Sequence, residues 1–385
     1  MMRVEVLGDG AALAPLRAAW DALLEQSPTH GVFLTWEWLA TWWKHLSGGR
    51  ELRVLCARDG EELVAIAPFA LRPAGVAGIL PLPRLEFLGS GSVASDYLDV
   101  IVKRGREREA TEALAAVLAR EEVLIELDQV PHGRNVAIEL ARRLEARGWG
   151  VIGHTTNLCR YIGLAGLTWE SYLAGCAREH RYNFRRRLRN LARRHALTFQ
   201  RVTGEQGRAE ALRALIDLHE ARWRGRGFAN AFHTPGHMAF HEEFSRLAAA
   251  RGWLRLYLLR LDGSPVAGLY GLRYGEVFSF YQSGFDPRYA RDSVGLVTMG
   301  LSIQSAIEEG AGEFDLLQGV ERYKLLWARS SRELGRVEIY PPRLRGRVYR
   351  GAVGLRRAAK RVVRRVLPGS VVQRIAHRRD LGSER

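Results

Sequence analysis

The sequence is poor in cysteine and has no long uninterrupted apolar run. Its three cysteines, Cys56, Cys159 and Cys176, lie far apart without a CxxC motif, so they predict no disulfide framework. No run of small residues after a charged start suggests a secretory cleavage site, and we expect a cytoplasmic location. The most apolar stretch, residues 293–307, is shorter than the roughly 18 residues that a spanning helix needs, so no membrane crossing is expected.

Common metal and nucleotide motifs are also missing. HTPGHMAFH places His233, His237 and His241 four residues apart, but Pro235-Gly236 separates the first from the helix that carries the other two. There is no HExxH or GxSxG motif, no Walker loop and no GxGxxG after a strand. We therefore expect no metal ion and no P-loop, Rossmann or serine-hydrolase chemistry.

The positive charge is concentrated in two segments. The formal net charge is +16, yet residues 343–385 hold 14 Lys and Arg against two acids, and residues 178–194 hold eight Arg against one Glu. The rest of the chain is slightly acidic. Residues 348–366 show an apolar stripe on a basic helix, which suits an anionic membrane surface or an RNA backbone. Packing of that stripe on the protein body is the alternative.

Two stretches of the chain repeat one pattern. Residues 52–72 and 254–274 each consist of an apolar strand, an Asp-Gly turn and a second apolar strand, which predicts two β-hairpins. The second hairpin continues into a third strand at 277–284. Helical patterns flank both hairpins. Around the first they cover 11–26, 36–46, 106–120 and 134–148, with a strand at 123–127, and around the second they cover 169–176, 178–194, 209–225, 238–250 and 294–310. The sequence thus predicts an α+β fold made of two tandem domains, each a mostly antiparallel sheet flanked by helices.

The length supports this division, because single hydrophobic cores stop growing at about 250–300 residues and the chain has 385. We predict an N-terminal domain over 1–165, a C-terminal domain over 166–342, and a basic amphipathic tail with a C-terminal helix over 343–385.

A helix that begins directly after a strand and a short loop is a candidate anion site. Ser293, Val294, Gly295 and Leu296 open this helix, and the free backbone N–H groups of a first turn favour a pyrophosphate. An ordinary capped helix start gives the same pattern, so the two interpretations stay open here.

Residues 280–327 carry a more specific resemblance. They contain a Gly-Phe-Asp-Pro turn, the Ser293 helix start, Phe-Asp on the last strand, then Gly and Tyr-Lys before an apolar run that ends in Trp327. This segment resembles GNAT-superfamily acetyltransferases of the CelD/BcsL type, which are related to the Fem-type peptidyltransferases with two GNAT folds in one chain. Weaker similarities extend it over roughly residues 30–330. Val294 departs from the family pattern, which has proline there.

The resemblance implies two GNAT-like domains, of which the first is degenerate, and an acyl-CoA co-substrate lying between two splayed strands. Tyr281 and Gln282 would line one wall, and residues 315–319 the other. In this interpretation Asp315 acts as a base or orients the nucleophile, and burial is expected to raise its pKa. Pairing with an arginine or capping of a helix is the structural alternative for Asp315.

Tyr323 and Lys324 are candidates for placing a phosphate or polarising the leaving group, although a lysine after a loop is often a solvated charge. His219, Arg222 and Trp223 share a helix face and, with Gln318, are candidates for acceptor binding; a helix that packs its Trp in the core has the same pattern. In the first domain, Asp96 and Asp99 could contact an acceptor across the cleft between the domains or close a turn at the start of a strand; we favour the structural role, with this domain as the platform for the acceptor.

Three functions fit these features. The first is transfer of an acetyl or acyl group from acyl-CoA to an amine or hydroxyl, on a small molecule or glycan precursor, in polysaccharide or cell-envelope biosynthesis. The second is an aminoacyl-tRNA-dependent Fem-type transferase, in which the arginine-rich segment binds phosphates. The third is a non-catalytic scaffold that binds a membrane or RNA. We expect the first, with peripheral contact of the tail with an anionic membrane.

Overall fold

The structure is a computed structural model that describes residues 2–73, 82–91, 93–133, 135–223, 232, 234–319, 321–343, 346 and 351. His233, nearly all of the basic tail and the predicted C-terminal helix lie outside the described residues.

The first half of the chain contains four α-helices, two short 3₁₀ helices and seven strands among the described residues. The helices are α1 Leu13–Gln26, α2 Trp36–Leu46, α3 Glu107–Leu118 and α4 Val136–Glu145. The strands are β1 Arg3–Leu7, β2 Glu51–Asp59, β3 Glu62–Arg72, β4 Arg84–Phe87, β5 Ile101–Val102, β6 Leu124–Pro131 and β7 Gly150–Gly163. All four helices, the β2–β3 hairpin and β6 were predicted, whereas β1, β4, β5 and β7 were not.

The second half has six α-helices, one 3₁₀ helix and six strands in its described part. The helices are α5 Trp169–Gly175, α6 Arg178–Arg194, α7 Arg208–Trp223, α8 Pro235–Ala250, α9 Val294–Glu308 and α10 Lys324–Trp327. The strands are β8 Leu197–Val202, β9 Leu254–Leu261, β10 Ser264–Tyr274, β11 Val277–Phe285, β12 Glu313–Gln318 and β13 Ser330–Tyr340. The β9–β10–β11 meander and the five longer helices agree with the sequence prediction.

One continuous sheet runs through both halves, and its order along the main path is β1-β2-β3-β4-β6-β13-β7-β12-β11-β10-β9-β8, with β5 beside β3. Among the pairs along it, β4–β6 and β11–β12 are parallel and the others antiparallel. Each half therefore contributes an antiparallel meander followed by one parallel strand. The predicted α+β fold, with mostly antiparallel sheets flanked by helices in tandem, is confirmed.

The two halves exchange their last strands. Strand β7 follows β6 in the chain but pairs with β12 of the second half, while β13 follows β12 but pairs with β6 of the first half. The two exchanged strands also pair with each other from Ser330–Tyr161 to Tyr340–Gly150. This exchange places β12 and the loop before β5 side by side, although they lie more than 200 residues apart in sequence.

Aromatic side chains of both halves join in one core cluster. The Trp38 ring of α2 makes edge contacts with Phe240 and Phe244 of α8, with ring centroids 4.9 and 4.7 Å apart, and with Tyr281 of β11 at 5.5 Å. Burial of such rings contributes roughly 1.5–3 kcal/mol each.

The boundary near residue 165 stays a prediction. Within the described residues, no helix has the length and apolar character to cross a bilayer.

Candidate active site

A cleft opens where strands β11 and β12 separate. The two strands pair in parallel through Val277–Glu313, Phe278–Phe314 and Ser279–Asp315, and the pairing ends there. Beyond Ser279, the edge of β11 that faces β12 has no strand partner within the described part of the chain. Free backbone groups on such an edge can pair with an extended ligand, as in the addition of a strand to a sheet.

Local distortions in both strands explain the separation. Strand β11 has a bulge at Tyr281, because Tyr270 of β10 pairs with Gln282 whereas Gly271 pairs with Phe280. In β12, Leu317 adopts a left-handed backbone conformation with φ 55°, and its N–H donates to Asp315 Oδ1 at 2.7 Å. A single left-handed residue redirects an extended strand. The two strands therefore diverge after one short parallel ladder.

The cleft contains two adjoining cavities. The first, about 350 Å³, is mostly apolar and is lined by Arg222, Gly268, Leu269, Phe280, Ser283, Gly284, Phe285, Gly295, Leu296, Thr298, Met299, Tyr323, Leu326 and Trp327. The second, about 230 Å³, is more polar and is lined by Ala94, Asp96, Arg222, Trp223, residues 280–283, Leu316, Leu317, Gln318, Glu321, Tyr323 and Lys324. An apolar trough that leads into a polar end suits a long flexible acyl carrier with a reactive terminus.

The start of α9 borders the apolar cavity. Ser293 precedes the helix with φ 58°. Its side chain accepts no hydrogen bond from the backbone N–H groups of the first turn. The Val294 side chain is buried in the core, whereas Gly295 and Leu296 line the cavity. The helix therefore begins where the sequence predicted, and anion binding at its first turn stays a prediction.

Lys324 is buried rather than solvated. Its Nζ donates to the carbonyl oxygens of Gln318 at 2.5 Å and Leu317 at 3.4 Å, and it lies 3.2 Å from Glu321 Oε2. These carbonyls lie at the end of β12, where the ladder with β11 has stopped. Lys324 thus stabilises the far wall of the cleft. The neighbouring Tyr323 lines both cavities, and burial raises the pKa of its hydroxyl.

Gln318 faces the polar cavity at the same end of the strand. Gln129 of β6 donates through Nε2 to Gln318 Oε1 at 3.1 Å and accepts through its own Oε1 from Asn157 of β7 at 3.1 Å. This chain of amides crosses the exchanged strands and fixes the orientation of the Gln318 side chain.

Asp315 is buried as predicted, but it lines a different cavity. Its Oδ2 accepts a hydrogen bond from the Tyr97 hydroxyl at 2.6 Å, and burial raises the pKa of its carboxyl to about 6. The cavity that it borders, about 570 Å³, lies between residues 28–34 and the start of β11 and β12. The prediction that residues 315–319 form one wall of the cleft is thus corrected at Asp315, because alternate side chains of a strand point to opposite faces.

Asp96, for which the sequence favoured a structural role, is a buried carboxylate that reaches the cleft; the exposed carboxylate of Glu321 lines the same cavity. It lines both the polar cavity and the 570 Å³ cavity. Its Oδ2 accepts from the backbone N–H of Gln318 at 2.8 Å, whereas its fully buried Oδ1 has no hydrogen-bond partner. Burial raises the pKa of its carboxyl to about 7, despite the hydrogen bond from Gln318.

Asp99 has the structural role that was predicted. It accepts hydrogen bonds from the N–H groups of Val136 and Ala137 at 3.1 and 2.6 Å, at the start of α4. The SDYLD motif alone does not indicate that Asp96 and Asp99 have different roles. The difference arises because Asp96 accepts a hydrogen bond from Gln318 of strand β12.

The remaining predicted residues divide between cleft and core. Arg222 and Trp223 line the cleft, and Arg222 Nη1 donates to Ser283 Oγ at 3.2 Å. His219 is buried beside Phe232 and lines none of the three cavities described above.

Tyr281 and Gln282 line the polar cavity, and the Tyr281 hydroxyl donates to the Val93 carbonyl at 2.7 Å. Among the described residues, no group of His, Cys, Asp and Glu is arranged to hold a metal ion.

Comparisons with known proteins agree with this architecture. The family of the acetyltransferase (GNAT) domain matches residues 178–325. The crystal structure of FemX superposes with a TM-score of 0.60 at 13% identity, over 87% of this chain and 97% of that chain. A conserved protein of unknown function from Bacteroides thetaiotaomicron superposes with a TM-score of 0.55 at 14% identity, over 87% and 99%.

L-PGS from Bacillus licheniformis superposes with a TM-score of 0.51 at 15% identity, over 86% of this chain and 91% of that chain. No curated protein sequence matched the chain. At these identities the structural likenesses show the fold alone, and the GNAT domain match covers less than half of the chain.

Proposed function

We propose that this protein transfers an acyl group from acyl-CoA to an amine or hydroxyl acceptor. The observation that carries this proposal is the separation of β11 and β12 after Ser279–Asp315, which opens a cleft beside the start of α9. The GNAT domain match over residues 178–325 supports acyl transfer as the reaction class.

The residues of the cleft fit an acyl-CoA donor. The free edge of β11 beyond Ser279 offers backbone groups to the amides of a pantetheine arm, and apolar side chains such as Phe280 and Met299 cover the methylene groups. The N–H groups at the start of α9 and the guanidinium of Arg222 suit the phosphates and the carbonyl groups of the donor.

The reaction needs a proton acceptor for the nucleophile and a proton donor for the leaving sulfur. As the nucleophile forms its bond to the thioester carbon and the carbon–sulfur bond breaks, Asp96 accepts the proton of the nucleophile. The Tyr323 hydroxyl, kept protonated by its raised pKa, donates a hydrogen bond to the leaving sulfur. The proton on Asp96 then passes through solvent to the thiolate. A carboxyl pKa of about 7 is suited to a general base at neutral pH.

Asp315 and Lys324 act as positioning residues in this scheme. Asp315 holds the backbone of Leu317, and Lys324 holds the last carbonyls of β12, so both maintain the wall that presents Gln318 and Asp96. The resemblance of residues 280–327 to the CelD/BcsL type supports an acceptor from polysaccharide or cell-envelope biosynthesis.

The test is calorimetric binding of acetyl-CoA to the full chain at two salt concentrations. The variant Gly295→Trp should lower the affinity at least tenfold, because a Cβ at Gly295 meets only Phe285, at 3.7 Å, and a large side chain would occupy the apolar cavity. Leu167→Trp, at a partly exposed position that lines none of the described cavities, should bind like the wild type. Absence of binding, or equal binding by Gly295→Trp, would refute the donor assignment.

A second candidate is an aminoacyl-tRNA donor, for which the arginines of α6 are the supporting observation. Arg187 donates to the Arg291 carbonyl at 2.8 Å, and Arg194 pairs with Asp292 at 2.5 Å, so this helix adjoins the loop before α9. Arg185, Arg189 and Arg193 of the same helix are exposed. This candidate requires tRNA binding that weakens steeply with salt and is lost when the exposed arginines are changed to Gln.

A further inference from the structure

Helix α6 carries a row of arginines on the side that faces away from the core. Its buried residues are His180, Phe184 and Leu191. The opposite face, which we call the arginine row, consists of five arginines and one tyrosine: Arg178, Tyr182, Arg185, Arg186, Arg189 and Arg193. All of these side chains except Arg186 are exposed. At 1.5 Å per residue the row is about 22 Å long.

The positive charge of this row is largely unpaired. Helix α6 contains one acid against eight arginines, and Arg185 pairs with the exposed Glu170 of α5 at 2.8 Å. Arg178, Arg189 and Arg193 make no ion pair or side-chain hydrogen bond with any residue that the structure describes. The row therefore presents a net positive charge to its surroundings.

Such a face differs from that of an ordinary surface helix. On α4, Arg143 pairs with Glu139 one turn earlier at 2.6 Å, and mixed signs of this kind are typical of helices exposed to water. On α6, Arg185, Arg189 and Arg193 instead follow one another at four-residue spacing, where like charges repel. The arginine row thus weakens the helix that carries it, and an anionic surface against the row would offset this repulsion.

We propose that the arginine row binds the headgroups of an anionic phospholipid bilayer, with α6 lying along the bilayer surface. Charge complementarity carries the proposal, because the phosphates of such a surface are spread over a plane along which one face of a helix can lie. Each basic residue near an anionic surface strengthens binding about fivefold. The inference does not depend on acyl transfer, and it concerns a surface that the cleft residues do not form.

Tyr182 favours a bilayer over a nucleic acid as the partner. Its side chain is 58% exposed, and the Arg186 guanidinium lies 5.8 Å from the centroid of its ring. An aromatic ring with a polar hydroxyl suits the boundary between headgroups and acyl chains. Proteins that bind single strands of nucleic acid use a positively charged groove, whereas no residue of the arginine row lines a cavity described above.

The experiment measures co-sedimentation of the full chain with vesicles of phosphatidylcholine that contain about 30% phosphatidylglycerol. Vesicles of phosphatidylcholine alone are the reference, and the wild type should bind them at least tenfold more weakly. The double variant Arg189→Gln/Arg193→Gln should bind the anionic vesicles at least tenfold more weakly than the wild type, because it loses two of the five arginines. The basic tail is the same in both proteins, so the difference between them reports on α6.

The matched control is Arg108→Gln/Arg120→Gln, which removes the same charge from exposed positions of the first half. Its vesicle binding should stay within twofold of the wild type. The thermal midpoint of the α6 variant should not fall, since the substitutions relieve repulsion between like charges. Equal losses in the two double variants, or no preference of the wild type for anionic vesicles, would overturn the proposal. Binding of tRNA that the α6 variant loses while its vesicle binding is unchanged would overturn it in favour of the aminoacyl-tRNA candidate.

Discussion

The Tyr97 hydroxyl of the first half donates a 2.6 Å hydrogen bond to Asp315 Oδ2 of the second half. The other oxygen of the same carboxylate accepts from the Leu317 N–H at the kink of β12. The Asp315 carboxylate therefore contacts both the first half of the chain and the kinked end of β12, which forms the cleft wall. Substitution of Tyr97 should therefore affect the acyl site.

Removing the Tyr97 hydroxyl should destabilise the protein. In Tyr97→Phe, Asp315 keeps only its bond to Leu317, and the loss of a partner for a buried carboxylate lowers the free energy of unfolding by about 1–3 kcal/mol. Urea denaturation at pH 8 measures this change. Tyr182→Phe is the matched control, because Tyr182 is 58% exposed; its change should stay within about 0.5 kcal/mol. Equal stability of the two variants would contradict the role of the hydroxyl.

The stability of the protein should depend on the ionisation of Asp315. Its carboxyl pKa is raised from 3.8 to about 6, so between pH 4 and pH 6 the folded state binds more protons than the unfolded state. The contribution of this group to the unfolding free energy therefore falls as pH rises through that range. Asp96 and Asp99, whose carboxyl pKa values burial raises to about 7 and about 6, act in the same direction. His241, whose pKa burial lowers to about 3, acts in the opposite direction, so a single pH profile mixes these effects.

The variant Asp315→Asn separates these contributions. Its unfolding free energy relative to the wild type should increase between pH 4 and pH 7, because the amide has no buried charge to form. Urea denaturation of both proteins at several pH values provides the difference. A difference that stays constant across this range would show that Asp315 titrates as in the unfolded chain.

Replacing the buried ammonium group should loosen the end of β12. Lys324→Met keeps the apolar stem but leaves the carbonyls of Leu317 and Gln318 without their donor, which should cost about 1–3 kcal/mol and weaken acetyl-CoA binding. Calorimetry and urea denaturation measure both effects. Lys44→Met removes a surface ion pair with Glu243 and should change stability by about 1 kcal/mol or less. Similar losses in both variants would argue against the assigned role.

Gly319 should not tolerate a side chain. Its φ of 134° lies where L residues rarely occur, and a Cβ there would approach Lys324 Nζ to 2.6 Å. Gly319→Ala should therefore lower the free energy of unfolding by about 1–3 kcal/mol and weaken the hydrogen bonds from Lys324 Nζ to the last carbonyls of β12. Gly153→Ala on β7 is the control, since a Cβ there has no neighbour within 4 Å. If denaturation midpoints of the two variants agree, the backbone of Gly319 is not constrained as described.

Local sequence patterns predicted the turns and helix starts whose conformation depends on residues close to one another in the chain. The Asp-Gly turns at 59–60 and 262–263 join the two strands of each hairpin, and α2 begins at the predicted residue because Thr35 caps its N-terminus. The start of α9 was predicted for the same reason, since a helix start after a strand and a short loop is a local feature.

Strand β7 escaped prediction because its stability comes from partners distant in sequence. Its central residues, 153–156, are exposed and polar, so the segment has no apolar alternation of its own. It is extended because β13 and β12, more than 150 residues later, pair with its two edges.

The sequence by itself determined the α+β class, the two hairpins, the helices and the residues that form the cleft wall at Gln318, Tyr323 and Lys324, because each depends on residues close to one another in the chain. Only the tertiary structure decided that Asp96 reaches the cleft while Asp315 faces the neighbouring cavity. That outcome depends on a left-handed residue at Leu317 and on the exchange of β7 and β13 between the halves. Both are set by packing between distant segments, which no local pattern encodes.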